Sequence, residues 1–336
     1  MSFDLRRELL LRTKDESFPN NNIIMKVLRE LVQYYISTKV SQQKINSINK
    51  AIASISNLRY NIISGKSPKI PSVGVGISAR IDEIIATGTL TELGHDESYL
   101  EIQELCTVSG IGPVKAKQLI EMGIHNVAML KDAYLSGTIK IAKNELTHHI
   151  AVGLKYYTDI KERIPWDEVA EFKKIVNSYM PPDYHFTICG SFRRKMLTCG
   201  DIDVLLTHNR YKIDEDDHAH YLSDIINILS NAGIIVDNLT SGGDTKYMGI
   251  IKINADGLGR RLDIRLISKE SKPFALLYFT GSGEFNKIMR SRALDLGYTL
   301  NEYNIIKLET GEKLHLSSEK EIFSLLDCAY VKPHDR

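Results

Sequence analysis

Two aspartates one residue apart, Asp201 and Asp203, stand in the run Gly200-Asp201-Ile202-Asp203-Val204-Leu205-Leu206. A third, Asp263, stands in Arg260-Arg261-Leu262-Asp263-Ile264-Arg265-Leu266-Ile267. Both segments alternate polar with apolar, the period of a strand with one face on a core. Asp201 and Asp203 then point the same way while Ile202 and Val204 point inward, and Arg261, Asp263 and Arg265 share the face opposite Leu262, Ile264 and Leu266. Carboxylates held side by side repel unless a cation intervenes. Mg²⁺ suits them, because it takes oxygen ligands and keeps open positions for water and phosphate. The chemistry such a set supports is metal-assisted attack on a phosphorus centre. A lone pair of alternate aspartates also occurs on plain solvated strands, and an acid between two arginines also describes a salt-bridged strand. A third carboxylate on a strand neighbouring the first two would instead complete a two-metal set.

The segment just before the first strand carries the phosphate chemistry. Gly190-Ser191 lies between the apolar run 185–189 and the basic pair Arg193-Arg194. There a turn and a helix start offer backbone N–H groups to a triphosphate, with a guanidinium nearby. Two further glycine-rich segments, Pro71-Ser72-Val73-Gly74-Val75-Gly76 and Val108-Ser109-Gly110-Ile111-Gly112-Pro113, sit between helical patterns in the same local arrangement. Each leads into a helix, the second over residues 114–122, whose first amides are unpaired and attract phosphate. Either loop alone also fits a capping turn with no ligand. The pair in tandem fits two grips on a nucleic-acid backbone, contacts that carry no base code and weaken with salt.

The elements that must position these residues fall into two textures. Apolar residues at helical spacing (Ile24, Val27, Leu28, Leu31, Val32; then Ile45, Ile48, Ile52, Ile55) predict short helices over residues 22–94. A turn-rich acidic stretch at 87–98 precedes a second helical unit over about 100–157. From residue 184 the runs 185–189, 202–207, 248–253 and 262–267 predict strands, interrupted by a helix at 221–231. That half is α+β. Net charge is only +1, but residues 26–80 hold nine Lys or Arg (Lys26, Arg29, Lys39, Lys44, Lys50, Arg59, Lys66, Lys69, Arg80) against one acid, Glu30. Such a segment is a candidate polyanion-binding face. With 43% hydrophobic and 25% charged residues the chain is of folded, globular composition. Residues 1–16 lack the apolar core of a secretory signal, no stretch is long enough to span a membrane, and Cys106, Cys189, Cys199 and Cys328 form no C-x-x-C pair. An intracellular, reducing compartment is expected.

Taken together, these motifs resemble the family X DNA polymerases, in the layout of the polymerase beta-like members, over about residues 22–330. The resemblance rests on Gly190-Ser191 with Gly200-Asp201-Ile202-Asp203, on Gly243-Asp244-Thr245-Lys246-Tyr247-Met248-Gly249, on the strand 261–266, and on Leu277-Tyr278-Phe279-Thr280-Gly281-Ser282. It implies a multidomain α+β fold. Its parts are a basic all-helical N-terminal DNA-end-binding domain (1–94), a helix-hairpin-helix subdomain (95–157), a nucleotidyltransferase palm with a mixed β-sheet (158–267), and a small α+β nucleotide-selecting C-terminal subdomain (268–336).

The activity implied is DNA-directed addition of dNMP to a primer 3′-hydroxyl in short gaps, as in base excision repair, on gapped or nicked duplex DNA with dNTPs and without a membrane or obligate partner chain. Asp201 and Asp203 would bind both of two Mg²⁺ ions, for which Mn²⁺ can substitute, and Asp263 the ion at the primer. Arg163, Gly190, Ser191, Arg194, Cys199, Gly200 and Gly281 would surround the triphosphate. Tyr278 and Phe279 would press on the sugar where a ribose 2′-hydroxyl clashes, and Asn286 would meet the base edge. Arg261, Arg265, Lys287, Arg290 and Tyr303 would face primer and template. Gly74, Gly76, Gly110, Gly112, Lys44, Lys69 and Arg80 would meet DNA backbone, and the hairpin loops are candidate sites for a monovalent cation. The alternatives are a template-independent nucleotidyltransferase and a non-catalytic DNA-end binder. The setting is the nucleus, or a virus factory if a large DNA virus encodes the chain. No BRCT-like segment is recognisable, so end-joining partners are not expected.

Three positions depart from the family's pattern. Cys199 replaces a serine near the phosphates, Gly283 replaces an acid near the nucleotide, and Arg80 stands where a lysine would act as Schiff-base nucleophile in removing a 5′-deoxyribose phosphate. A guanidinium, with a pKa above about 12, supplies no neutral amine for that step. Any lyase activity must therefore use another amine, such as Lys69, Lys66 or Lys44, while Arg80 still contacts a 5′-phosphate. Borohydride trapping on a 5′-deoxyribose phosphate end is expected to yield no adduct through position 80; abolition of a wild-type adduct by Arg80→Ala would overturn this assignment.

Overall fold

The computed structural model describes Leu5 and residues 18–336 apart from 39, 57, 59, 67, 94–96, 141–145, 213–218 and 241–242. Residues 1–16 as a non-signal segment, Lys39 and Arg59 of the basic stretch, and the expected boundary at 94 lie outside the described residues, Leu5 excepted. The chain divides into two units, residues 10–154 and residues 155–336 with the first nine.

The first unit is helical. α1 (Pro19–Ser37) starts with proline at its first turn, where the missing N–H costs nothing, and buries Ile24, Val27, Leu28, Leu31 and Tyr35 along one stripe. At 19 residues it is longer than the short helices that the spacing predicts. α2 (Gln42–Ser56) contributes Ile45, Ile48 and Ile55, and α3 (Val75–Thr87) contributes Ile81 and Ile84 to the same core. Buried Asn21 fixes the connection after α2, donating to the Tyr60 carbonyl and accepting from the Ile62 amide. Four more helices follow: α4 (Glu97–Leu105), α5 (Pro113–Glu121), α6 (Val127–Leu135) and α7 (His148–Lys155).

The second unit begins with the short helix α8 (Tyr157–Lys161) and the two-residue strand β1 (Ile164–Pro165), which pairs with β3 (Thr198–Cys199). Its centre is a five-stranded mixed sheet in the order β2-β4-β7-β6-β5. The strands are β2 (Tyr184–Ile188), β4 (Ile202–His208), β5 (Ile235–Asn238), β6 (Lys246–Ile251) and β7 (Arg260–Leu266). β4 and β7 are parallel and the other pairs antiparallel. On one face Val204, Leu206, Leu262 and Ile264 pack with Val169 and Phe172 of α9 (Trp166–Tyr179) and Leu222 and Ile225 of α11 (Ala219–Asn231). On the other, Leu205 packs with Cys189, Ile267 and Ala275 beneath the four-residue helix α10 (Gly190–Arg193) and α12 (Lys272–Thr280).

A small α+β region completes the unit. α12, α13 (Gly283–Asp295) and α14 (Glu319–Leu325) pack around Phe274, Phe285, Met289 and Phe323, beside a three-stranded antiparallel sheet in the order β10-β9-β8. Its strands are β8 (Tyr298–Leu300), β9 (Ile305–Lys307) and β10 (Lys313–Leu314). Leu5 is buried in this core. The α+β class and mixed sheet are those expected. The expected strands at 248–253 and 262–267 begin and end one or two residues earlier, and β1, β3, β5 and β8–β10 were not foreseen, being two to four residues long.

The start of β7 is fixed by a buried charge. The Arg260 guanidinium meets both Glu168 oxygens, at 2.7 and 2.8 Å, and donates to the Glu162 carbonyl at 3.2 Å. Arg260 is 6% exposed, so loss of its partner strands a cation away from water. Glu168→Ala is expected to cost roughly 2–4 kcal/mol, the partly wet carboxylate keeping it short of a fully buried pair. The check is the urea midpoint of this unit followed by Trp166 emission.

Candidate active site

The three aspartates meet because of strand register. β4 and β7 run parallel with Asp203 directly beside Asp263, and Asp201 precedes β4 on the same face. One oxygen from each lies within 4.8 Å of the others, the only such His, Cys, Asp or Glu group among the described residues. Arg261 lies among them, its Nη2 donating to Asp201 Oδ2 and its Nε lying 3.6 Å from Asp263 Oδ1. Burial, and then the charge of Asp263, push the Asp203 carboxyl up to about 6, with Arg194 pulling the other way. The donor set is all carboxylate oxygen, short of positive charge and partly open to solvent, which fits a hard divalent cation.

The Gly190 turn sits directly on this cluster. Gly190 has φ +53, and a Cβ there would fall 2.2 Å from Asp203 Oδ2. Only glycine satisfies both the backbone and the close approach. The Cys189 amide donates to the Asp203 carbonyl at 2.8 Å, tying turn to strand. Ser191 follows, with its carbonyl accepting from the Met196 amide at 3.1 Å. Arg194 donates to the Thr280 carbonyl, and burial lowers its pKa against the pull of Asp203. Arg193 is turned away, held by Glu319 and Thr280. Arg163 donates to Thr198 Oγ1 and Thr198 O, and its Nη1 is 3.4 Å from where a Gly200 Cβ would be. Cys199 is fully buried opposite Ile164.

Tyr278 and Phe279 end α12, half-buried and edge to face at 5.1 Å. A cis peptide joins Gly281 to Ser282, and Gly281 lies against Arg194. Asn286 donates to the Tyr278 carbonyl at 2.7 Å. Arg290 lies over the Tyr278 ring and pairs with Glu302, and Lys287 pairs with Glu284. Arg265 lines the face of the acids, beside Leu205 and Lys246, while Tyr303 is exposed in the turn before β9. Sequence reasoning passed over Thr280, Glu319 and Trp166. The last had a visible signal, being the only tryptophan in the chain.

The helical unit holds the other named residues. The two glycine loops share a backbone hydrogen-bond pattern at a shift of 38 residues (70 to 108, 74 to 112, 78 to 116). Val73 N bonds Ile70 O and Ile111 N bonds Val108 O; Ser78 N bonds Gly74 O and Ala116 N bonds Gly112 O, both at 2.9 Å. Gly74 and Gly112 are the extended caps of α3 and α5. The left-handed position is Gly110 in the second loop but Ser72 in the first, so Gly74 and Gly76 do not supply the first turn's positive φ. A groove of about 620 Å³ beside the first loop is lined by Lys44, Gly74, Gly76, Tyr35 and Arg80 among others, and Lys69 is exposed nearby in sequence. Arg80 pairs with Glu92 at 2.8 Å and donates to Tyr35 Oη at 2.9 Å. Burial works against its charge, but Glu92 outweighs it, so its pKa is raised. Burial and the Glu92 bond likewise push the Tyr35 phenol to about 12.

Comparison with known proteins agrees with this geometry. Residues 163–269 match the DNA polymerase beta palm family, 275–336 the DNA polymerase beta thumb, and 103–161 the fingers domain of DNA polymerase lambda. The chain belongs to the family X DNA polymerases, with the beta-like layout. It is 32% identical to DNA polymerase lambda of Rattus norvegicus over 286 residues, covering 80% of this chain and 48% of that protein. Identity to DNA polymerase lambda of Arabidopsis thaliana is 29%, covering 94% and 62%, and to the type-X family protein pol4 of Schizosaccharomyces pombe 23%, covering 98% and 66%. The chain thus spans between about half and two thirds of the length of these relatives.

The Asp203 carboxyl has a pH consequence. Raised from 3.8 to about 6, it keeps its proton in the folded chain where the unfolded chain has lost it, so its contribution favours folding at low pH and is lost as pH rises through about 6. In EDTA at neutral pH, Asp203→Asn is expected to raise stability by roughly 1–2 kcal/mol, discounted for the water that reaches the site, and by less at pH 5. Thermal melts at both pH values check this, with Mg²⁺ expected to raise the Tm of the wild type more than that of the variant.

Proposed function

We propose that the chain is a DNA-directed DNA polymerase of the repair type that fills short gaps. The observation that carries this is the unslipped parallel register of Asp203 on Asp263, with Asp201 on the same face and the Gly190 turn against them. Asp201 and Asp203 would hold two Mg²⁺ ions, with Mn²⁺ able to replace them, and Asp263 would hold the one nearer the primer. When bound, the ions supply Lewis acidity to the primer 3′-hydroxyl and neutralise the triphosphate. Arg163, Ser191 and Arg194, with the amides of the Gly190 turn and the backbone at Cys199, Gly200 and Gly281, bind and align the phosphates for in-line displacement of pyrophosphate. Arg261, spread over two of the carboxylates, would approach the primer terminus. Tyr278 and Phe279 select deoxyribose, Asn286 meets the base edge, and Arg265, Lys287, Arg290 and Tyr303 meet primer and template.

The domain division follows the same reading: a DNA-end-binding region to 94, a hairpin region to 157, a palm to 267 and a nucleotide-selecting region to the end. The hairpin loops grip duplex backbone through Gly74, Gly76, Gly110 and Gly112 and are candidate monovalent-cation sites, while Lys44, Lys69 and Arg80 meet the 5′-phosphate of a gapped or nicked DNA. The pairing of Arg80 with Glu92 supports a phosphate-docking role for that groove without Schiff-base chemistry through Arg80. The protein acts as a monomer in a reducing compartment that holds DNA. The relatives named are cellular, which supports the nucleus over a virus factory. Among the described residues no helix is long and apolar enough to cross a membrane.

Primer extension on a one-nucleotide gap, with dNTPs against NTPs, tests the proposal. Templated incorporation of dNMP should fall by roughly a thousandfold or more in Asp263→Ala, the scale of losing electrostatic stabilisation at the reacting centre. Template-independent incorporation would favour a terminal-transferase activity, and gap binding without incorporation an end-binding protein.

A further inference from the structure

The phosphate turn is held from outside by a clasp centred on Trp166, which is not among the named site residues. The Trp166 indole stacks flat on Phe192, ring centres 4.9 Å apart and planes within 12°, and its Nε1 donates to the Phe192 carbonyl at 3.1 Å. The Trp166 amide donates to the Leu197 carbonyl at 3.1 Å, so one residue grips both ends of the loop 192–197. The β1–β3 pairing and the two Arg163 bonds to Thr198 extend the grip to Cys199. Inside it Lys195 has φ +58, a conformation that non-glycine residues keep only where their surroundings over-determine it. Met196 and Leu197 are 51% and 90% exposed and anchor nothing from the solvent side.

We propose that Trp166 is a positioning residue for the nucleotide's triphosphate: by fixing Phe192 it sets where Ser191, just before it, and Arg194, two residues on, meet the phosphates. The proposal rests on the assignment of that turn to dNTP binding. Asp203 and Asp263 are anchored in the hydrogen-bonded pair β4 and β7, so loosening the clasp acts on nucleotide affinity and leaves the chemical step nearly intact.

The test uses the full chain on one-nucleotide-gapped DNA. Trp166→Leu keeps apolar volume but loses the flat stack and the donor; it is expected to raise the dNTP KM roughly tenfold, with kcat and DNA affinity within about twofold of wild type. Trp166→Phe keeps a ring to stack and should restore KM to within about threefold. An unchanged KM in a folded Trp166→Leu protein, or a fall in kcat alone, would overturn the proposal. A second measurement needs neither variant nor turnover: dNTP titrated into wild type on a dideoxy-terminated gap must change the emission of the single tryptophan. An unresponsive emission overturns the role. If wild type incorporates nothing yet the emission responds, the polymerase assignment fails while the turn remains a triphosphate site held by Trp166.

Discussion

Asp203 and Asp263 face each other because β4 and β7 lie parallel with no slip between them, and the rest of the second unit is arranged around the repulsion that results. A one-residue slip would send one of the two acids to the opposite face of the sheet. The register is held by the alternate residues: Ile202, Val204, Leu262 and Ile264 are almost fully buried under α9 and α11. Burial of one face thus secures the pairing of charges on the other. Arg261 spans Asp201 and Asp263, and Arg194 acts on Asp203, so the cluster carries its own partial countercharge.

The same logic of a secured frame around an exposed site recurs at the Gly190 turn. Gly190 lets the turn rest on Asp203, Trp166 holds it from the side, and Arg193 ties it to the C-terminal region through Glu319. Glu319 is shared with Arg336, whose side chain is wholly buried among Phe285, Phe323 and Tyr330. Burial alone would raise the Glu319 pKa, but the two guanidiniums hold it below its ordinary value. The carboxylate therefore stays charged, with a guanidinium bonded to it from each side.

How much of this was legible depends on range. Period-two alternation around Asp203 and Asp263 showed which side chains share a face, because that property lies within five residues of sequence. The family resemblance, not the alternation, placed the two strands side by side. The basic pair Arg193-Arg194 did not show which guanidinium turns away, because nothing local reveals Glu319, 126 residues from Arg193. The short strands β5 and β8–β10 escaped because two to four residues carry no period, and α1 was read as shorter than it is. At the hairpins the repeat was visible, but its register was not: Ser72 takes in the first loop the left-handed conformation that Gly110 takes in the second.

That hairpin repeat carries a consequence for how such a surface changes over time. Two congruent loops, 38 positions apart, present main-chain amides at the starts of α3 and α5 and need no particular side chain to do so. Exchanges at most loop positions leave those dipoles aimed as before, so the outer residues are free to drift. Constraint instead falls on places where an added side chain would meet packed neighbours. One is Gly153, where even a methyl group would strike the Ser109 carbonyl at 2.6 Å; another is Gly110, pressed against His149. The main-chain geometry of the loops is thus set by what packs against them from behind.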